Sequence, residues 1–289
     1  MHKFEYAQAE TIDEATQLLS DESDALVIAG GTATVVLLNL GLLRPSLVID
    51  IGGVGALHGA GEADGNYHLG ALASVRALET SEQIKSRYPI LAEAAAQVGS
   101  VRVRNAATVG GAIAYGEPQT DVPVALVALG ASVEVVSRDG KRRVPLADFF
   151  HAPYETDLAP GELVTQVEIP PMGLRAGGCH VKFTVGSIEH KPVANVSTIV
   201  RLDAAGVCED VRIVAGAVGP TPFIAERAAA MLRGAKPSDR EIGQAARAAS
   251  EGAEPIDDLR GSAWYKRRIV KVLVERGLQC AILRAKASM

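Results

Sequence analysis

Cysteine is scarce in this sequence. Cys179, Cys208 and Cys280 stand apart, with no Cys-x-x-Cys pair and no histidine at ligand spacing. A structural zinc site or an iron–sulfur cluster, which ordinarily takes four such ligands, is not expected from this chain alone. Long hydrophobic runs are also missing. Stretches such as Ala25–Ala29 and Val35–Leu38 fall far short of the roughly 20 residues that span a bilayer, so no transmembrane segment is expected. The opening residues carry acids and lack an apolar core followed by a small-residue cleavage site, which argues against a secretory signal and for a cytoplasmic location. Nor is there a basic excess: 29 Lys and Arg against 34 Asp and Glu give a net charge of −5, a poor basis for non-specific nucleic-acid binding. No repeat and no low-complexity tract is visible.

What is present is globular. The 289 residues are 48% hydrophobic and 22% charged, enough to bury a large core and, by length, to form two domains. Thr11 with Glu14 three residues on predicts a capped helix over Thr11–Ser20. The run Ala25–Ala29 predicts a short buried strand ending at Gly30-Gly31. A helical segment over Val35–Leu42 and a strand at Leu47–Ile51 complete a βαβ unit with parallel pairing. Further strands are expected at Tyr67–Leu72 and Leu163–Ile169, and a hairpin around Arg138-Asp139-Gly140. Helices are expected at Ile90–Val98 and after Asp121-Val122-Pro123, where Asp121 is placed to cap and Gly130 to terminate. Beyond the glycine-rich stretch Gly173–Gly178, three strands (His180–Val185, Asn195–Leu202, Val207–Ala217) precede helical segments at Pro222–Leu232, Ser238–Ala249 and Ser262–Ala285. Strands followed by helices indicate an α+β second domain.

Three glycine clusters compete for a functional role. Ala29-Gly30-Gly31-Thr32-Ala33-Thr34 sits where a strand hands over to a helix; it fits either a tight turn or a cradle of N–H groups and hydroxyls for an anion. Gly52-Gly53-Val54-Gly55 has His58 where a dinucleotide fingerprint needs glycine and is followed by polar loop residues, so a flexible connection is expected. Thr108-Val109-Gly110-Gly111 is a second possible cradle, which would grip one pyrophosphate from the other side if the two bends meet. Asp121 beyond it either caps its helix or accepts hydrogen bonds from sugar hydroxyls. The six histidines are scattered, and no Ser-His-Asp or Cys-His arrangement emerges.

The pair Ala29-Gly30-Gly31-Thr32 and Thr108-Val109-Gly110-Gly111, with Asp121-Val122-Pro123 and the late run Asp258-Leu259-Arg260-Gly261-Ser262-Ala263-Trp264-Tyr265-Lys266-Arg267-Arg268, resembles the FAD-binding medium subunit of molybdenum hydroxylases, the carbon monoxide dehydrogenase and xanthine dehydrogenase family. The resemblance implies an α+β fold: an FAD-binding domain of the vanillyl-alcohol-oxidase (PCMH) type over residues 1–175, in subdomains of about 1–53 and 54–175, then a three-stranded antiparallel sheet with a helical bundle over 176–289. It implies FAD held through Ala29, Gly30, Gly31, Thr32, Ala33 and Thr34 on one side of the pyrophosphate and Thr108, Gly110 and Gly111 on the other. Asp121 would contact the ribityl or ribose hydroxyls, Leu163 and Val164 would line the adenine, and Lys182 would approach the isoalloxazine, with His180 where the family commonly has Tyr. Ala112 replaces a usual Asn. Lys182 at the ring would favour negative charge there and raise the reduction potential; a solvated strand-edge lysine is the other reading.

Two partners are implied, an iron–sulfur small subunit and a molybdopterin large subunit, in a dimer of heterotrimers that passes electrons to a quinone, NAD or oxygen. A stand-alone FAD-dependent oxidase or dehydrogenase of a small organic substrate and a non-catalytic assembly module are the competing readings. The basic residues between Arg260 and Lys286 are expected either to be solvated or to dock an acidic partner.

Overall fold

A computed structural model describes residues 3–288. Three strands, Glu5–Gln8, Ala25–Ile28 and Leu47–Asp50, form a parallel sheet with the last of them in the middle. The βαβ unit is there, extended by a first strand that the sequence pattern does not reveal. Thr11 caps the helix Ile12–Asp21 by accepting from the Glu14 N–H, but the Glu14 carboxylate reaches back to Glu10 and not to Thr11. The strand Ala25–Ile28 is half-buried, not fully buried, and the helix that follows is short, Thr34–Asn39, ending near a left-handed Gly41. The Gly52–Gly61 stretch is a turn, a single 3₁₀ turn at Gly55–Leu57 and the start of a strand, not a dinucleotide fingerprint.

A five-stranded antiparallel sheet comes next, in the order Ala60–Ala63, Asn66–Gly70, Leu163–Ile169, Ser132–Ser137, Gly140–Pro145. It packs beneath short helices, including Pro89–Ala96, Val101–Ala106, Val109–Tyr115 and Val122–Leu129. The last is apolar all round, VPVALVAL, and every one of its residues is buried. That is the only environment in which such a helix avoids exposing an apolar face.

The C-terminal sheet is antiparallel, with long strands Ala176–Phe183, Ala194–Leu202 and Cys208–Gly216. A fourth, two-residue strand, Phe223–Ile224, joins its edge, so the sheet has four strands where three are expected, and the helix predicted from Pro222 begins only at Glu226. The first of the long strands takes in Gly177 and Gly178 and so begins four residues before the expected His180. The sheet is covered on one face by the helices Asp239–Gly252 and Ala263–Ala287. Alternation along Ala176–Phe183 divides its side chains between two neighbours. Positions 177, 179 and 181 face the long C-terminal helix, while 178, 180 and 182 face the first half of the chain.

Candidate functional site

The first glycine bend rests on the end of the helix Val101–Ala106. A Cβ on Gly30 would lie 1.6 Å from the Ala106 carbonyl oxygen, and Gly31 has φ +65°, a conformation that costs a side chain but not glycine. Arg104 anchors that helix from below: it is buried, donates to Glu79 at 2.6 Å and to the carbonyls of Val98 and Gly99 at 3.0 and 2.7 Å. The sequence reading passes over Arg104, because nothing local marks an arginine as buried.

The two bends therefore meet, since Ala106 and Ala107 lead directly into Thr108. Their backbones behave differently. The N–H groups of Gly30, Gly31, Thr32 and Ala33 have no hydrogen-bond partner among the described residues, and Ala33, at the helix start, receives no side-chain cap. Four consecutive free donors beside a glycine that admits no side chain are suited to an anion such as a diphosphate. In the second bend the donors are already used. Val109 donates to Ala73 O at 2.9 Å, Gly110 to Ala71 O at 2.8 Å, and Gly111 to Thr108 Oγ1 at 3.1 Å. Thr108 is the N-cap of the helix Val109–Tyr115, so the expected second N–H cradle reduces to the Thr108 hydroxyl proton and the exposed backbone at Gly111.

Asp121 lies at the start of its helix but makes no capping bond. Its carboxylate is buried and turned into the protein. Oδ2 accepts from Lys182 Nζ at 2.8 Å; Oδ1 accepts from Asn195 Nδ2 at 2.6 Å and lies 3.3 Å from His180 Nε2. A carboxylate only accepts, so Nε2 carries the proton of that contact and Ser197 Oγ, 2.8 Å from Nδ1, can donate to the other nitrogen. Lys182 also donates to Gln97 O at 2.7 Å. Register explains the grouping, because His180 pairs with Ser197 and Lys182 with Asn195. Burial alone would raise the Asp121 carboxyl, but the hydrogen bond from His180 and the facing Lys182 ammonium outweigh it and hold the group below the ordinary aspartate range.

Lys182 is accordingly neither a solvated strand-edge lysine nor a lone cation. Compensated by Asp121, it presents a dipole to its surroundings, and the field expected of it weakens correspondingly. Asn195 is the member that the sequence reading misses; its only mark is a polar residue inside an apolar strand. Its Oδ1 is buried without a donor among the described residues, against Gly216.

Leu163 and Val164 are both buried but on opposite sides of their strand. Leu163 belongs to the apolar cluster of Ile49 and Leu57, against which Ala29 packs. Val164 belongs to the larger central core. The structure thus brings Leu163, not Val164, to the side of the first bend. A separate solvent-open groove of about 360 Å³, lined by Val127, Gly130, Pro170, Arg212 and Arg233 among others, contains none of the cofactor-site residues expected from the sequence. Of the basic residues late in the chain, Lys266 is buried against Asp258 and the Ile256 carbonyl, Arg267 donates to Ala253 O, and Arg284 pairs with Glu93. That row is partly internal and not one free cationic face. No helix among the described residues is long and apolar enough to cross a membrane.

Comparison with known proteins agrees with this architecture. Residues 2–172 match the model of the FAD binding domain in molybdopterin dehydrogenase, and residues 189–281 that of the CO dehydrogenase flavoprotein C-terminal domain. The 6-hydroxypseudooxynicotine dehydrogenase complex subunit alpha of Paenarthrobacter nicotinovorans is 34% identical over 98% of this chain and 96% of its own length. The glyceraldehyde dehydrogenase medium chain of Sulfolobus acidocaldarius is 32% identical over 96% and 98%. Among solved structures, carbon monoxide dehydrogenase from Hydrogenophaga pseudoflava superposes with a TM-score of 0.94 at 32% identity, covering 98% of each chain. By motif, fold and full-length similarity, the chain belongs to the FAD-binding medium-subunit family of the molybdopterin dehydrogenases.

Proposed function

We propose that this chain is the FAD-carrying electron-transfer subunit of a heterotrimeric molybdenum hydroxylase, accepting electrons from an iron–sulfur small subunit and passing them to an external acceptor. A molybdopterin large subunit oxidises the substrate, and the assembly is a dimer of heterotrimers in the cytoplasm. Relatives named as carbon monoxide and glyceraldehyde dehydrogenase medium chains and as a nicotine 6-hydroxylase medium subunit support the subunit role. The observation that carries the reading is the run of four unpartnered N–H groups at Gly30–Ala33 seated on Ala106.

FAD, when bound, supplies the redox chemistry; the protein binds, orients and shields it. The backbone N–H groups of Gly30, Gly31, Thr32 and Ala33, with the hydroxyls of Thr32 and Thr34, donate to the pyrophosphate from one side. Thr108 donates its hydroxyl proton from the other, while Gly110 and Gly111 keep that surface free of side chains. Leu163 and Ala29 wall the adenosine side. Asp121, His180 and Lys182 would act together as a rigid, buried backing for the flavin half, with Asp121 holding Lys182 and His180 in place.

The stand-alone oxidase reading finds less support. It needs an accessible acid or base, whereas Asp121, His180 and Lys182 are buried and engaged with one another. The test is reconstitution. The purified chain should be yellow with stoichiometric FAD, inert toward organic substrate alone, and reduced by substrate once its small and large partner chains are added. A colourless, folded preparation that ignores added FAD would sink the proposal. Cell fractionation tests the location.

A further inference from the structure

Two of the three cysteines, isolated in sequence, do not stay isolated in the fold. Cys179 lies on the strand Ala176–Phe183 with its side chain toward the C-terminal helix, and Cys280 lies on that helix, Ala263–Ala287. The helix sits unusually low over the strand. Two residues before Cys179, a Cβ on Gly177 would fall 2.1 Å from the Ala281 carbonyl oxygen and 2.5 Å from the Ala285 nitrogen, so only glycine permits this seating. Arg284, one turn beyond Cys280, donates to the Gly178 carbonyl at 2.6 Å and fixes the helix against rotation. Cys179 shares an apolar cluster with Ala281, and Cys280 packs against the same cluster; with Gly177 seated on Ala281 and Ala285 at one end and Val181 3.4 Å from a Cβ on Gly277 at the other, Cys179 lies midway, facing the helix turn that carries Cys280. Cys179 is buried while Cys280 is half-buried. A disulfide requires Cα atoms within about 7 Å, and the close seating of the helix on both sides of Cys179, at Gly177 and at Gly277, favours such a separation.

We propose that Cys179 and Cys280 form a peroxide-responsive dithiol site, in which oxidation bridges the C-terminal helix to the strand that carries His180 and Lys182. The order of events follows from exposure. Hydrogen peroxide reaches Cys280 first: its sulfur attacks one peroxide oxygen, the O–O bond breaks, and Cys280 sulfenic acid and one water result. The Cys179 sulfur then attacks the sulfenic sulfur, the S–O bond breaks, the Cys179 proton leaves with the hydroxyl, and a second water forms with the S–S bond. Two thiols give up two electrons in total and one peroxide is reduced to two waters. Burial pushes the Cys179 thiol well up, so Cys179 is a poor first nucleophile toward a solvent oxidant and serves as the resolving partner.

The experiment uses the FAD-loaded full-length chain. After hydrogen peroxide treatment, the protein is denatured in N-ethylmaleimide and its alkylated cysteines are counted by intact mass. The count should fall from three to one, with Cys208 the survivor, a cross-linked peptide pair containing Cys179 and Cys280 should appear, and dithiothreitol should restore all three. Cys280→Ser should leave Cys179 and Cys208 both alkylated after the same treatment. The proposal is overturned if Cys280 proceeds to sulfinic acid while Cys179 stays alkylated, if Cys280 links two chains instead, or if all three thiols survive a dose that oxidises exposed methionine. Should Cys280→Ser fail to fold, the peptide map of the unsubstituted protein decides alone.

Discussion

Gly30→Ala is the most demanding perturbation of the cofactor site, because the structure sets its size. The added Cβ would begin 1.6 Å from the Ala106 carbonyl oxygen, about half a comfortable contact, so the bend must retreat by roughly 1.5 Å. Donor-to-acceptor distances in hydrogen bonds span only about 2.7–3.2 Å, and a retreat of that size removes donors from a diphosphate that they otherwise reach. If two charge-assisted bonds are lost at about 1.5–3 kcal/mol each, affinity falls by about 10²- to 10⁴-fold. Stability drops by about 1–3 kcal/mol from overpacking. Titrating apoprotein with FAD and following flavin fluorescence measures the first; thermal unfolding measures the second. Gly61→Ala is the matched control, since its Cβ meets nothing within 4 Å on a strand outside the site, and it should leave FAD affinity unchanged. A Gly30→Ala protein that binds FAD within about threefold of the original and melts unchanged refutes the cradle.

Lys182→Met leaves the buried Asp121 carboxylate without its cation and should cost about 3–5 kcal/mol in urea unfolding, with part of the loss recovered on adding Asp121→Asn; a loss below about 1 kcal/mol contradicts the ion pair. Because the folded state holds the Asp121 carboxyl below its ordinary value, its stabilisation is present above the unfolded aspartate pKa of about 3.9 and drains away as pH falls through the lower folded value. The acid limb of a stability–pH curve should therefore flatten in Asp121→Asn, and an identical limb counts against the assignment. Thr108→Ala should cost about 1 kcal/mol by removing a helix cap and also weaken FAD, while Thr108→Ser restores both; retention of full FAD affinity in the alanine variant removes Thr108 from the site.

Much of the fold is legible in local chemistry. Gly130 and the capping residues Thr11, Ser238 and Ser262 stand where helices stop or start, since those signals act within a turn of the chain. The first glycine bend was legible for the same reason. Partnership across long sequence distances was not. Asp121 carries the features of a cap, and only the register that sets Lys182 opposite Asn195 turns its carboxylate inward. Thr108-Val109-Gly110-Gly111 looks like a second set of free donors, yet the carbonyls of Ala71 and Ala73, far back in the chain, take two of them. The edge strand Phe223–Ile224 is too short to leave a periodic trace, and Cys179 and Cys280 are neighbours only because a helix of 25 residues returns over the sheet.

That returning helix bears on how the protein is made. Glu93, in the first half of the chain, offers one carboxylate oxygen to the His180 N–H at 3.0 Å and the other to Arg284 at 2.5 Å. During translation the flavin-binding half emerges long before Arg284 exists, so Glu93 must wait for a further 191 residues (284 − 93) to be made before its second partner arrives. Closure of so distant a contact is entropically late. Nascent chains stalled short of the last helix should accordingly be open to proteases along the surface around Glu93, and the cell has reason to release this subunit complete before it is assembled with others.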